Sequence, residues 1–266
     1  MRARALVAGG LAAVLLTGCA QSVDPIERLG KKAAQRVGPD GPDGPGGADG
    51  RPYRHWGLLA PLQAPPRVAA RAAVRRGGLP PVVRRVGTSD KVVFLTYDDG
   101  AERDPRFVDM VRELRLPVSM FLTDSVVGPG YAHFARLQSV GASIQNHTLD
   151  HPALRGLPYP GQRAEICGQQ EKVRSRFGIR PRLFRPPYGT YDRTTLRAAA
   201  DCGLSAVVLW SVSPAGGAPE RPLRAGDIVS VASGEATGPT LTERTTRVLR
   251  EVERRGLTVG RLEDYL

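Results

Sequence analysis

Short apolar segments alternate with amphipathic segments from about residue 82 to the end of the sequence. The clearest apolar segment, Val92–Leu95, carries β-branched, aromatic and branched aliphatic side chains in succession, which is typical of a strand buried on both faces. Strands that alternate with helices favour parallel strands joined by crossover helices, either an α/β barrel or a doubly wound sheet. In such folds the reactive side chains lie beyond the carboxyl ends of the strands.

The same pattern predicts the other elements of this region. Further strands are predicted at about 118–122, 142–145, 182–184, 206–210 and 227–231. Helices are predicted at about 104–115, 130–140, 161–177, 191–202 and 242–255. Asp104 followed by Pro105 indicates a helix start, because aspartate caps the helix and proline is tolerated at its first position. Gly256 is typical of a helix end.

The positive charge of the chain indicates which classes of partner it favours. The 38 basic residues outnumber the 26 acidic ones and give a net charge of +12, and only four of the basic residues are lysines. Such a surface favours anionic partners, such as phosphate-bearing wall polymers or an acidic membrane surface. No nucleic-acid partner is predicted, since aromatic residues make up only 6% of the chain and no recognition motif is present.

Residues 1–18 predict a lipoprotein signal peptide. Arg2 and Arg4 precede an apolar segment, Ala5–Leu16, which falls short of the ~20 residues that span a bilayer. The residues that end at Cys19, Leu-Thr-Gly-Cys, resemble the bacterial lipobox, which implies a lipid on Cys19. The alternative is an ordinary cleaved signal with an incidental cysteine. The expected location is the extracytoplasmic face of the cell membrane, held by the lipid anchor.

Residues 19–80 predict a flexible tether, and residues 81–266 a folded domain. Glycine occupies every third position from Gly38 to Gly50, but five triplets are too few for a collagen helix, so a spacer is the better interpretation. His55 and Trp56 either begin ordered structure or pack on the domain, and the sequence leaves both alternatives open.

Asp98 and Asp99 follow the first long strand, and Gly100 allows the chain to turn. Two adjacent carboxylates repel each other unless a cation or an arginine offsets their charge. On its own this motif is more often a solvated turn than a site.

Two further motifs follow strands. His147 and His151 lie four residues apart, which lets both imidazoles reach one ion from a single helical turn. Two imidazoles and a carboxylate such as Asp99 suit a hydrolytic metal site with open positions, with zinc as the default ion. Arg185 begins Arg-Pro-Pro-Tyr-Gly, where the prolines stiffen the loop; the alternative is a rigid turn with a surface arginine.

Together, the motifs at 96–100, 147–151 and 185–189 resemble, in this order, the first three motifs of the polysaccharide deacetylase (NodB-homology) family, carbohydrate esterase family four. The resemblance covers roughly residues 82–266. It implies a distorted, partly open (β/α) barrel. It also implies a metal-dependent hydrolase that removes acetyl groups from N-acetylated polysaccharide, either peptidoglycan or a chitin-like glycan.

The resemblance also implies a role for each motif residue. Asp98 would be the general base, and Arg185 would hold it ionised and oriented. The backbone N–H of Tyr188 would help to stabilise the oxyanion. The ligands of the divalent metal would be Asp99, His147 and His151.

The family's proton donor is missing from the sequence. The resemblance implies a histidine after the last core strand and an aspartate in an earlier loop. Ala232 stands where the histidine is expected, and Ser213 and Gly216 stand where the aspartate is expected. Three interpretations follow: a deacetylase that takes its proton from water or Glu235, an O-acetyl esterase, or a glycan-binding protein that keeps its metal without turnover. A cationic scaffold bound to wall polymers by charge alone is a fourth.

Cys167 and Cys202 lie on two predicted helices that flank the third motif. In an exported protein they would form a disulfide that closes a loop. The alternative is two buried free thiols.

Overall fold

Strands and helices alternate along the chain, as predicted. The structure, a computed structural model, describes residues 51–66, 78–214, 218–232 and 238–266. The strands are β1 (Val82–Val83), β2 (Val92–Asp99), β3 (Ser119–Leu122), β4 (Ser143–Asn146), β5 (Leu183–Phe184), β6 (Ala206–Val208), β7 (Ile228–Val231) and β8 (Thr258–Val259). The α-helices are α1 (Pro52–His55), α2 (Pro105–Glu113), α3 (Asp124–Val127), α4 (Tyr131–Ser139), α5 (Tyr159–Phe177), α6 (Arg193–Asp201) and α7 (Leu241–Arg254). Short 3₁₀ turns lie at Gly128–Gly130, Pro187–Gly189 and Leu262–Asp264.

The strands form one curled parallel sheet. Their order is β1-β6-β5-β4-β3-β2-β7, and β8 also pairs with β2. Each of these ladders is parallel. The predicted α/β fold with a distorted, partly open barrel is therefore confirmed. Parallel strands end on the same side, so the ends of β2, β4, β5 and β7 meet at one rim.

The core is built on both faces of β2. Val93, Leu95 and Tyr97 pack outward with residues of α2 and α7, and the Tyr97 hydroxyl lies 3.0 Å from the Thr245 hydroxyl. Phe94 packs inward. Val92–Tyr97 are all buried, which explains the unbroken apolar segment. Burial raises the pKa of the Tyr97 phenol, and the opposing effects of the Thr245 hydrogen bond and the Arg244 charge offset this only in part.

The helix ends follow the local sequence signals. The Asp104 carboxylate accepts a hydrogen bond from the Arg106 N–H at 2.9 Å, with Pro105 at the first position of α2, and Gly256 follows α7 with a φ of 58°. The helix predicted from residue 161 begins at Tyr159. Strand β8 is absent from the sequence-based prediction, because two residues are too few to carry a periodic pattern.

Residues 51–66, within the stretch predicted as tether, pack against the domain. The side chains of Trp56 and Leu58 are buried in the core, and the Trp56 indole N–H donates to Glu113 at 2.8 Å. Backbone N–H groups of Leu59 and Ala60 donate to one carboxylate oxygen of Glu253. Both alternatives for this pair hold in part: the exposed His55 ends the short helix α1, and the Trp56 side chain packs in the core. The predicted signal peptide, Cys19 and residues 67–77 lie outside the described residues.

Two further features bear on the predictions. Cys167 and Cys202 are joined by a disulfide, with their Cα atoms 5.0 Å apart. Among the residues that the structure describes, none of the helices has both the length and the apolar character needed to cross a bilayer.

Candidate metal centre and active site

Asp99, His147 and His151 converge at the rim. Asp99 ends β2, and His147 follows the last residue of β4. Asp99 Oδ1 lies 3.3 Å from His147 Nε2 and 3.2 Å from His151 Nε2. One ligand atom from each residue falls within 4.8 Å of the others. This is the only such group of three metal-ligating side chains in the described part of the chain.

The donor atoms of this cluster fit a cation. His147 Nδ1 lies 2.7 Å from the Arg185 carbonyl oxygen, which can only accept, so Nδ1 carries the proton and Nε2 presents a lone pair. Asp99 Oδ1 is buried and accepts no hydrogen bond. The lone pair of His147 Nε2 therefore faces the Asp99 carboxylate oxygen without a proton between them, and His151 Nε2 lies at a similar distance from the same oxygen. This arrangement is costly unless an ion is shared.

The charges in the cluster agree with this arrangement. Burial disfavours the ionised form of Asp99, but attraction to His147 and His151 outweighs it and holds the pKa of Asp99 below its ordinary value. Burial and the neighbouring His147 lower the pKa of His151, and Asp99 and Asp98 offset this only in part. An ionised carboxylate at Asp99 and a neutral imidazole at His151 are protonation states that metal ligands require.

Asp98 is held at both of its carboxylate oxygens. Arg185 Nη1 donates to Oδ1 at 2.6 Å, and the Ser230 hydroxyl donates to Oδ2 at 2.9 Å. The same Nη1 donates to the Thr96 hydroxyl at 2.9 Å. Thr96 and Asp98 lie two residues apart on β2 and share its inward face. Thr96 and Ser230 were not predicted as site residues. Each lies two residues before a position that the sequence did single out, Asp98 or Ala232, and this spacing places both side chains on the same face of their strands.

Arg185 is fully buried, and each part of its guanidinium has a contact. Besides Thr96 and Asp98, it donates to the backbone carbonyls of Val208 and Leu209, both at 3.3 Å. Its Cζ lies 4.2 Å from the ring centroid of Phe121. A buried charge needs this degree of pairing, so the alternative of a surface arginine is wrong.

Backbone strain is concentrated at the cluster. Among the described residues, five residues other than glycine have a positive φ, and four of them are Asp99, Thr148, His151 and Tyr188. Such conformations cost on the order of 1–3 kcal/mol each and persist where the surroundings enforce them. Tyr188 is 66% exposed and its ring lies 4.7 Å from the His151 ring, so Tyr188 stands beside the candidate metal ligands.

The position of the missing proton donor lies beside Asp98. Tyr97 pairs with Val231 in the parallel ladder, so Ala232, the next residue, follows β7 at the level of Asp98. Ala232 is exposed, and Ser213 is half-buried. Gly216 and Glu235 lie outside the described residues.

The loop that contains Ser213 is anchored by Asp227. This fully buried carboxylate accepts two hydrogen bonds from the Arg221 guanidinium, at 2.8 and 2.9 Å, and one from the Ser211 hydroxyl at 2.9 Å. Burial opposes ionisation, but the contacts with Arg221, the Arg224 N–H and Ser211 outweigh it and hold the pKa of Asp227 below its ordinary value.

We expect Asp227→Asn to lower the free energy of unfolding by about 2 kcal/mol at pH 7, because hydrogen bonds to a charged group are lost. The stabilisation is complete above the ordinary pKa of aspartate, 3.8, and disappears as the pH falls through the lower folded value. Denaturant unfolding across a pH series measures this. Asp109→Asn is the control, since its pair with Arg112 is exposed and contributes little. An equal loss at every pH would contradict the prediction.

Comparison with known proteins decides the family. Residues 85–207 match the model described as Polysaccharide deacetylase. An uncharacterised protein of Streptomyces coelicolor is 61% identical over 203 residues, which are 74% of this chain and 82% of that protein. The chain belongs to the polysaccharide deacetylase family. A chitooligosaccharide deacetylase of Bradyrhizobium sp. (strain ANU 289) is 31% identical over 46% of this chain and 57% of its own length. The match thus spans little more than half the length of that chitooligosaccharide deacetylase.

Solved structures agree with the fold of the family. A family 4 carbohydrate esterase from Bacillus anthracis superposes with a TM-score of 0.61 and 20% sequence identity, over 75% of this chain and 98% of that one. At this identity the likeness shows that the polysaccharide deacetylase fold is shared.

Proposed function

We propose that the protein is a metal-dependent hydrolase that removes acetyl groups from N-acetylated cell-envelope polysaccharide, either peptidoglycan or a chitin-like glycan. The observation that carries the proposal is the convergence of Asp99, His147 and His151 beside Asp98, which Arg185 holds. Membership of the family and the chitooligosaccharide deacetylase among the relatives support this substrate class.

The metal would be held by Asp99, His147 and His151, and zinc is the ion that we propose for this ligand set. When bound, such an ion lowers the pKa of water towards neutrality and polarises a carbonyl.

The side chains of the chain supply the remaining parts of the reaction. Asp98 accepts the proton of the attacking water, and the contacts of its carboxylate with Arg185 and Ser230 keep it oriented. The backbone N–H of Tyr188 faces the developing negative charge. The C–N bond then breaks, acetate leaves, and the amine nitrogen takes up a proton. In place of the missing imidazole, that proton comes from water or from Glu235.

Two other functions follow from the alanine at position 232. An O-acetyl ester releases an alkoxide, which leaves with less help from an acid than an amine does, so an esterase is the second candidate. A glycan-binding protein without turnover is the third. The intact contact between Asp98 and Arg185 favours catalysis, because binding a sugar requires neither residue.

The proposed setting is the cell envelope. The signal-peptide pattern and Cys19 support a lipid anchor on the extracytoplasmic face of the membrane. The net charge of +12 supports contact with anionic wall polymers or the membrane surface.

The test is an assay of the metal-loaded protein with N-acetylglucosamine oligomers and with a simple acetate ester. We expect Asp98→Asn to lower kcat/KM by about 10²- to 10⁴-fold, the usual contribution of general base catalysis. Asp109→Asn, which changes an exposed carboxylate of α2 in the same way, should be unaffected. Turnover that is absent on both substrates, or that survives Asp98→Asn, would exclude this mechanism, and glycan binding that survives the substitution would support the third candidate.

A further inference from the structure

Three of the five buried residues of α5 are glutamines, which is unusual for a helix in a protein core. Gln162, Gln169 and Gln170 are 0%, 2% and 5% exposed. Buried amides are costly unless they form hydrogen bonds, so the glutamines have to be explained by what these side chains contact. Gln162 contacts the start of α6, where its Oε1 accepts from Thr195 at 2.6 Å. The other two glutamines belong to a segment with different contacts.

This segment, Glu165–Gln170, contacts the loop that carries the metal-ligating histidines, Asn146–His151. We call these the clamp segment and the ligand loop. The Asn146 side-chain amide donates to the Ile166 carbonyl at 2.9 Å and to Gln170 Oε1 at 3.2 Å. The Asn146 Oδ1 in turn accepts from the Thr148 N–H at 3.0 Å. Asn146 thus connects the clamp segment to the backbone between the two histidines.

Three further contacts fix the rest of the ligand loop. Glu165 Oε2 accepts from the Asp150 N–H at 3.0 Å. The Gln169 amide donates to the Leu122 carbonyl oxygen, which also accepts from the His147 N–H. At Gly168, a Cβ would lie only 2.4 Å from Leu149 Cδ1. The close approach of α5 to the ligand loop therefore requires glycine at this position.

The disulfide joins the clamp segment to the end of α6. Cys167 lies within the segment, and its partner Cys202 follows the last residue of α6. The Gln170 amide donates to the Cys202 carbonyl at 3.3 Å and to the Pro181 carbonyl at 3.0 Å. Gln170 therefore contacts the ligand loop with one end of its amide and the disulfide-bonded region with the other.

We propose that the clamp segment, held by the disulfide, sets the affinity of Asp99, His147 and His151 for their metal, with Gln170 as a positioning residue. Thr148 and His151 both have a positive φ, a conformation that persists only where the surroundings impose it. If the clamp loosens, the two imidazoles lose their common orientation before the fold is lost. The inference rests on the proposed metal site.

The first experiment compares Gln170→Ala with Gln162→Ala, which removes an equally buried amide from the same helix. Zn²⁺ affinity is measured by competition with a chromophoric chelator, and the ligand geometry by the visible spectrum of the Co²⁺ form. We expect the Kd of Gln170→Ala for Zn²⁺ to rise about 10- to 100-fold, the usual range when supporting hydrogen bonds of a metal site are removed, together with an altered Co²⁺ spectrum. Gln162→Ala should lose comparable thermal stability in the metal-free form and keep the wild-type Kd and spectrum.

The second experiment uses the double variant Cys167→Ser/Cys202→Ser, which opens the disulfide without a reductant or a free thiol that would itself bind zinc. We expect its Kd for Zn²⁺ to rise in the same direction, about 10-fold, with secondary structure retained by circular dichroism.

The outcomes separate the inference from the proposed function. Wild-type protein that binds neither Zn²⁺ nor Co²⁺ would overturn the metal-dependent function and the inference with it. Wild-type binding that is unchanged in both Gln170→Ala and the cysteine variant would overturn the inference alone. Equal weakening by Gln170→Ala and Gln162→Ala would show a general loss of stability and would also overturn it.

Discussion

Replacing Ala232 with histidine is expected to raise kcat/KM for an N-acetylglucosamine oligomer by about 10²- to 10⁴-fold, the usual contribution of a general acid. The ladder between β2 and β7 places residue 232 at the level of Asp98, so the new imidazole would face the reaction from the strand beside the base. An amine leaves poorly without a proton, whereas an alkoxide needs less help. The gain should therefore be much larger on the amide substrate than on an acetate ester.

The control for this variant is Ala232→Gln, which adds a polar side chain that cannot donate a proton at neutral pH. The histidine variant should also acquire a decline in activity on the alkaline side of its pH profile, as the imidazolium loses its proton near its ordinary pKa of about 6.5. Adding Ser213→Asp should raise the activity further, because a carboxylate orients and stabilises the imidazolium. A histidine variant no faster than the glutamine variant would contradict the role assigned to position 232.

Arg185→Met is expected to lower the free energy of unfolding by about 3–5 kcal/mol, the usual loss when one partner of a buried ion pair is removed. Methionine fills much of the space of the arginine side chain but removes its hydrogen bonds to Asp98, to the Thr96 hydroxyl and to two backbone carbonyls. Arg185→Lys should recover only part of the loss, since an ammonium cannot reach all four acceptors from one position.

A double-mutant cycle identifies the source of this loss. Asp98→Asn in the Arg185→Met background removes the uncompensated charge, so the double variant should be more stable than the sum of the two single changes predicts. Denaturant unfolding of the metal-free proteins gives the four free energies. Strict additivity would mean that the arginine acts through packing on Phe121 and not through the ion pair.

The sequence predicts those parts of the fold and site that depend on local patterns. The sequence alone predicts the buried strand of residues 92–97, the capped start of α2 and the order of the three motifs. Because parallel strands end on the same side, this information was enough to expect Asp99, His147 and His151 near one another.

Contacts between distant segments could not be predicted in the same way. The packing of Trp56 against the domain includes a hydrogen bond to Glu113, 57 residues away, so the sequence could offer this packing only as one of two alternatives. The buried glutamines of α5 could not be predicted either, because buried helix faces are predicted from apolar periodicity, to which glutamine does not contribute. Ser230 could not be predicted as a partner of Asp98, because their hydrogen bond depends on the register of two strands that lie far apart in the chain.

The alternation along β2 has a consequence for how the chain tolerates insertions and deletions. Asp98 meets Arg185 on the inner face, while Tyr97 packs outward. Removing one residue between Val92 and Thr96 would present the phenol ring to the buried guanidinium and push the carboxylate towards α7. Length changes should therefore accumulate before Lys91 or after Gly100, and a relative with a gap inside this strand would have had to discard its chemistry at the same time.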